Sequence, residues 1–368
     1  MIGILIAIPF LILGFLPLLW AYTDLPLWMG MQRDYSWSSI GFGFLGESGI
    51  FGIMETTDGI KGPFGMLSLL LSLLVPLSIA MIFIIAYHVK TKDLIKSREM
   101  YKEVENEFTS SLFQLGNRLG DGTPAEIAFA KVAGSSKGTA TEGFFRLVNQ
   151  NIQQLGMSLN DALFNPKRGA VIFYPSELIA TSMKILVESV KKGLKVAARS
   201  LMSISEYVKN IKKINARLND LLADIISDMK SNMVFLAPML SGIIIGLAGM
   251  ITAILSSLSA MFASGGLSAE GVDAIAGSGG IESLLGIFDI TQMIPPYWLQ
   301  IVVGFYLIEI VFILTSTLVT IRSGRDKLAT TYEIGRNLKT SIILYVIIAL
   351  GSIIGLGLIG AVALQGLV

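Results

Sequence analysis

Residues 66 to 89 read MLSLLLSLLVPLSIAMIFIIAYHV, and the chain continues Lys90-Thr-Lys92-Asp-Leu-Ile-Lys96. The first stretch holds no Asp, Glu, Lys or Arg and exceeds the roughly 20 helical residues that cross a hydrocarbon core of about 30 Å. The basic cluster that closes it marks the side facing the cytoplasm. Four further stretches are long and apolar enough as well, Ile2 to Trp20, Met233 to Phe262, Tyr297 to Ile321 and Ser341 to Val368, and of all five only Tyr297 to Ile321 carries an acid or a strong base inside. The composition agrees, with 53% hydrophobic and 15% charged residues and a mean hydropathy of +0.68, too apolar for an ordinary soluble chain. Ile2 to Trp20 has no Lys or Arg ahead of it and no small-x-small cleavage site near Trp20-Ala21-Tyr22, so it reads as a retained span.

The charges between these stretches set the orientation. Residues 90 to 232 hold 21 Lys and Arg against 15 acids, and 322 to 340 hold 5 against 2. Residues 21 to 65 hold only Arg33 and Lys61 against 5 acids, and 263 to 296 hold no base and the acids Glu270, Asp273, Glu282 and Asp289. The expected organisation is all-α and polytopic. Residues 1 to 89 form two spans around an outward loop (21 to 65), and 90 to 232 form one cytoplasmic helical bundle. Residues 233 to 368 form three spans with an outward loop (263 to 296) and a short cytoplasmic loop (322 to 340). The amino terminus is then inside a cell (cytoplasmic) membrane.

Several chemistries are excluded at once. A net charge of +1 argues against a globally basic nucleic-acid binder. With no cysteine and a single histidine, His88, thiolate sites and multi-histidine metal sites are ruled out. His88, at the end of its span, reads as an interfacial residue. No G-x4-G-K-[ST] phosphate loop occurs, and Gly41-Phe-Gly43-Phe-Leu-Gly46 lies in an outward loop without the strand a dinucleotide site requires. No enzyme, cofactor or metal function is expected, and ATP-driven work must come from a partner.

The block 90 to 232 reads as helices. Thr123-Pro124-Ala125-Glu126 places an N-cap threonine, a proline at the first helical position and glutamate at the third. Ser158-Leu-Asn-Asp161 is a second start, and Gly122 and Gly156 supply backbone freedom at the two corners. Gly134 to Gly138 reads as a loop. From Leu194 one helix runs towards the third span with a seven-residue repeat: Leu201, Val208, Asn215, Leu222 and Met229 at one position, Ile204, Ile211, Leu218 and Ile225 at the other. Such a seam packs either on its own domain or on a second helix of a coiled-coil-like pair, where Asn215 would fix register.

These residues resemble the inner-membrane platform proteins of type IV pili, archaella and type II secretion systems, particularly the archaeal and tight-adherence branches. The likeness covers roughly 90 to 262. It rests on Phe113-Gln-Leu-Gly-Asn-Arg-Leu-Gly-Asp-Gly-Thr-Pro-Ala-Glu-Ile-Ala, on Leu155-Gly-Met-Ser-Leu-Asn-Asp-Ala-Leu, on Tyr174-Pro175-Ser176, and on Asp228-Met-Lys-Ser-Asn-Met-Val-Phe-Leu-Ala-Pro238-Met before a span. It implies a platform in the bilayer that couples a hexameric assembly ATPase to the insertion of pilin-like subunits into a filament. The single cytoplasmic domain leaves pairing open between a homodimer and a paralogue. A motor needs a docking surface. The row Lys209, Lys213 and Arg217, followed by Asp220, Asp224 and Asp228, is the first candidate, although a solvated face also explains it. Lys191, Lys195 and Arg199 form a second row if Gly193 does not break the helix.

Glu309, midway along the fourth span, offers the alternative of a transporter or channel, because intramembrane acids are expensive and often functional. The other expectation is a protonated carboxyl hydrogen-bonded between helices, which the lack of an intramembrane base favours. Gly242-x3-Gly246 and Gly351-x3-Gly355 predict close packing of the third and fifth spans.

Overall fold

The computed structural model describes residues 2–28, 30–35, 49–56, 59–263 and 293–365. In chain order the helices are α1 (Ile2–Tyr22), α2 (Leu25–Trp28), α3 (Met66–Ser72), α4 (Leu74–Gly120), α5 (Ala125–Ser135), α6 (Glu142–Gln153) and α7 (Leu159–Phe164). There follow α8 (Ala170–Phe173), α9 (Glu177–Lys191), α10 (Leu194–Ser231), a π turn at Asn232–Leu236, α11 (Ala237–Ala263), α12 (Pro296–Ser323) and α13 (Lys327–Gln365). Among the described residues five helical runs are long and apolar enough to cross a membrane, and the chain is a multi-pass membrane protein. The one sheet among them is a hairpin in the first loop, β1 (Met54–Thr56) against β2 (Gly59–Lys61). Residues 264 to 292 of the second outward loop, with Glu270, Asp273, Glu282 and Asp289, and the glycines Gly41, Gly43 and Gly46 lie outside the described residues. The chain divides into two units, Met1–Thr91 with Ile225–Val368, and Lys92–Asp224.

In the first unit, proline chemistry places the helix breaks. Pro76 has no N–H to give the carbonyl of Ser72, and its ring crowds that carbonyl. The second span accordingly begins as α3, yields at Leu73 and restarts as α4. Pro238 acts one turn ahead of α11. Ala237 N–H bonds Asn232 O instead of Met233 O, and Pro238 offers no donor in its place, so the Met233 carbonyl is left open. Ser341 Oγ donates to it at 2.9 Å. Thr315 Oγ1 donates to Met233 Sδ at 2.8 Å and accepts from Asn337 Nδ2 at 3.2 Å. The π turn is thereby tied to α12 and α13.

Close approach of α11 and α13 is carried by one glycine pair. A Cβ on Gly246 would lie 2.4 Å from Ser352 Cβ, and one on Gly242 would lie 2.9 Å from Ala349 N. Gly351 and Gly355 do not share this role: nothing lies within 4 Å of a Cβ on either, because they occupy the exposed side of α13. Helix α1 packs on the second and fourth spans, where Gly14 meets Val75 and its carbonyl accepts from Tyr297 Oη at 2.9 Å. The expected loop 322 to 340 shrinks to Gly324–Asp326. Gly324 turns at φ +70°, Asp326 Oδ1 accepts from Ala329 N–H at 3.1 Å, and residues 327 to 340 are already helical.

The second unit closes around aromatic side chains. Phe108 of α4 meets Phe144 of α6 edge to face at 5.6 Å, and Phe144 meets Tyr174 at the same distance. Phe108, Phe129, Phe144 and Phe145 are all fully buried, each contributing about 1.5–3 kcal/mol by leaving water. Asn151 Nδ2 donates to Ala162 O (3.1 Å) and Arg168 O (2.8 Å), which fastens α6 to the corner that follows it.

The two predicted helix starts fare differently. Ser158 caps α7 as expected: its Oγ accepts from Asp161 N–H at 3.2 Å and donates to the Asp161 carboxylate at 2.7 Å. Thr123 does not cap α5, and Pro124, with an extended ψ of 146°, holds the cap position. Thr123 is already engaged with the preceding helix. Its N–H bonds Arg118 O and that of Gly122 bonds Leu119 O, with Gly122 at φ +79°, a Schellman closure of α4. Helix α5 also runs through Gly134, so the expected loop narrows to the turn around Gly138 at φ +80°.

Candidate interaction surfaces

The candidate seam and the first candidate basic row both lie on α10. Early in the helix its inward face follows Leu201, Ser205, Val208 and Lys212. Leu201 is fully buried, and Ile204 packs partly against the same core. Ser205 Oγ donates to Thr109 O at 2.9 Å, and Lys212 Nζ donates to Asn106 O at 3.0 Å and Thr109 Oγ1 at 3.3 Å. These bonds hold α10 against residues 104 to 120 of α4. Burial lowers the pKa of Lys212 from the ordinary lysine value, and the Glu105 carboxylate works in the opposite direction.

The seam therefore divides. Leu201, Ile204 and Val208 pack within the chain, whereas Ile211, Asn215 and Leu218 are exposed. The free apolar line is rotated from the expected one and runs Tyr207, Ile211, Ile214, Leu218, Leu221, with exposures from 38% to 71%. Asn215 sits beside this line and not within it, because α4 covers the face on which Leu201 and Val208 lie.

Lys209, Lys213 and Arg217 are exposed, and none makes an ion pair among the described residues. Asp220, Asp224 and Asp228 follow, also exposed. The second row does not exist as a single helix face. Gly193 at φ +117° ends α9, leaving Lys191 there, 3.0 Å from Glu188, while Lys195 and Arg199 belong to α10.

Glu309 is exposed on α12, on the side that also carries Val302, Phe305, Tyr306 and Ile313. It accepts no hydrogen bond among the described residues, so the expected bond between helices of this chain is absent. The buried polar contacts between the spans fall to uncharged residues. Ser72 Oγ donates to Gln300 Oε1 at 2.9 Å, and the group around Met233 is equally hidden. Their signal was weak, being single neutral side chains within apolar runs. Asp34 was also missed: its carboxylate accepts from the N–H groups of Tyr35, Phe51 and Ile53 at 2.9 to 3.1 Å and organises the first loop. His88 is exposed, and no group of three metal-ligating side chains occurs among the described residues.

No protein-family model, curated protein or solved structure matches the chain.

Proposed function

We propose that the chain is a membrane platform of a type IV pilus-like filament or secretion machine. The unit Lys92–Asp224 lies on the cytoplasmic side and takes up motion from a separate hexameric assembly ATPase. The spans pass pilin-like subunits from the lipid bilayer into the growing filament. The chain works as a pair, with a second copy or a paralogue. The observation that carries this reading is the way the chain enters and leaves that unit. Entry is within α4 and exit is along α10, with a π turn in place of a loop before α11. Helical connections behave as semi-rigid spacers, whereas flexible loops absorb displacement. The corners at Gly122 and Gly156, which carry the family likeness, support the same reading. The alternative, a transporter or channel built on Glu309, is disfavoured because that carboxyl lies on an exposed face of α12.

Lys209, Lys213 and Arg217 are the proposed docking row, since exposed like charges with no ion pair among the described residues steer an acidic protein and orient it. Reversing all three to glutamate should weaken binding of the ATPase at least tenfold at low ionic strength. The remaining binding should lose its salt dependence, and membrane insertion and helical content should be unchanged. Undiminished binding by the triple variant would remove the row from the motor interface.

A further inference from the structure

We propose that two copies of the chain pair through a parallel, in-register contact of their α10 helices along Tyr207, Ile211, Ile214, Leu218 and Leu221. The inference rests on the pairing proposed above and names its surface and its partner. Five large apolar side chains succeed one another at steps of four, three, four and three residues, all exposed. A patch facing a flat surface needs only a broad apolar side, but a strict 3.5-residue repeat is what another helix requires, because each side chain then drops into a hole on its neighbour.

The flanks select a second copy and its direction. In a parallel pair Ile211 and Leu218 occupy one core position and Tyr207, Ile214 and Leu221 the other, so every layer is apolar. The position before Ile211 is Asn210 and the position after Ile214 is Asn215, and both are exposed. In a parallel pair these two positions face each other across the seam, so each copy's Asn210 amide meets the Asn215 amide of the other. No like charges meet there. An antiparallel pair matches at most four of the five side chains, and one of its two such registers also sets Arg217 beside Arg217 of the second copy, which is repulsive. The five side chains offer on the order of 500 Å² per copy, below the roughly 800 Å² of a standard interface. Confinement of both copies to one bilayer raises their effective concentration and compensates for that shortfall.

The test uses the full chain in native membranes and exploits its lack of cysteine. Under mild oxidation, Ile214→Cys and Leu218→Cys should each give a disulfide-linked product of twice the chain mass. Its yield should be at least ten times that of Ala216→Cys, an equally exposed position on the opposite side of α10. Co-expressed Asn210→Cys and Asn215→Cys chains should cross-link to each other. In a Leu221→Cys chain, adding Ile214→Asp at this exposed position should abolish the product without loss of helical content. Equal cross-linking at Ala216, a product of any other mass, or preferential Arg217→Cys self-linking would overturn the proposal. Neither motor nor pilin-like subunit takes part, so a chain that pairs but binds no ATPase would sink the platform reading and leave the pairing standing.

Discussion

Glu309 is where the residue scale matters most. An acid at the centre of a span costs about 2.5–3.5 kcal/mol on insertion scales, and Glu309 receives no hydrogen bond in return among the described residues. A protonated carboxyl reduces that cost, and glutamine reproduces its shape and its capacity to donate and accept without carrying a proton. Glu309→Gln should therefore leave membrane levels and filament assembly intact. Assembly lost at normal protein level would instead make proton or ion coupling the role of this residue. Its position in the span was legible from the sequence, but its facing was not. An apolar run such as Tyr297 to Ile321 has no polar face to show which side meets the rest of the protein. Gln300 escaped notice for the complementary reason: a single uncharged side chain near the end of an apolar run has no ionisable group to single it out, although it is fully buried and bonded to Ser72.

At the scale of elements, the local rules succeeded where one helix end acted alone. Ser158 and Asp161 sit three residues apart and satisfy each other, so the start of α7 could be read directly. Thr123 has the same side-chain chemistry, but Pro124 takes the cap position of α5 and Thr123 is left to close the end of α4 through its N–H. Closing a preceding helix and opening the next compete for the same few residues. The seam on α10 shows the corresponding limit of periodicity. Two overlapping heptad lines share Ile211 and Leu218, and only the covering of Leu201 and Val208 by α4 decides that the free line runs through Ile214 instead of Asn215. The glycine motifs were likewise equal in sequence and unequal in structure. Gly246→Leu should destabilise the packing of α11 on α13 by about 1–3 kcal/mol, since its Cβ would collide with Ser352. Gly351→Leu should be nearly neutral. Thermal unfolding in detergent reads both, and equal shifts would contradict the assignment.

For the whole molecule, the five spans were legible because 20 or more apolar residues in succession leave little alternative to a membrane helix. The helical unit between them was legible from its caps and periods, but its aromatic closure and the Asn151 tie depend on contacts remote in sequence. Orientation rests on the basic segments, Lys90 to Lys96 and Arg322 to Arg336, and the platform reading depends on it because a cytoplasmic ATPase must reach the unit Lys92–Asp224. Single cysteines at the exposed positions Gln32, Lys137 and Arg325 test this directly in intact cells with a membrane-impermeant maleimide. Gln32→Cys should react at once, and Lys137→Cys and Arg325→Cys only after the membrane is opened. Labelling of Lys137→Cys from outside would place the helical unit beyond the reach of the motor and contradict the account.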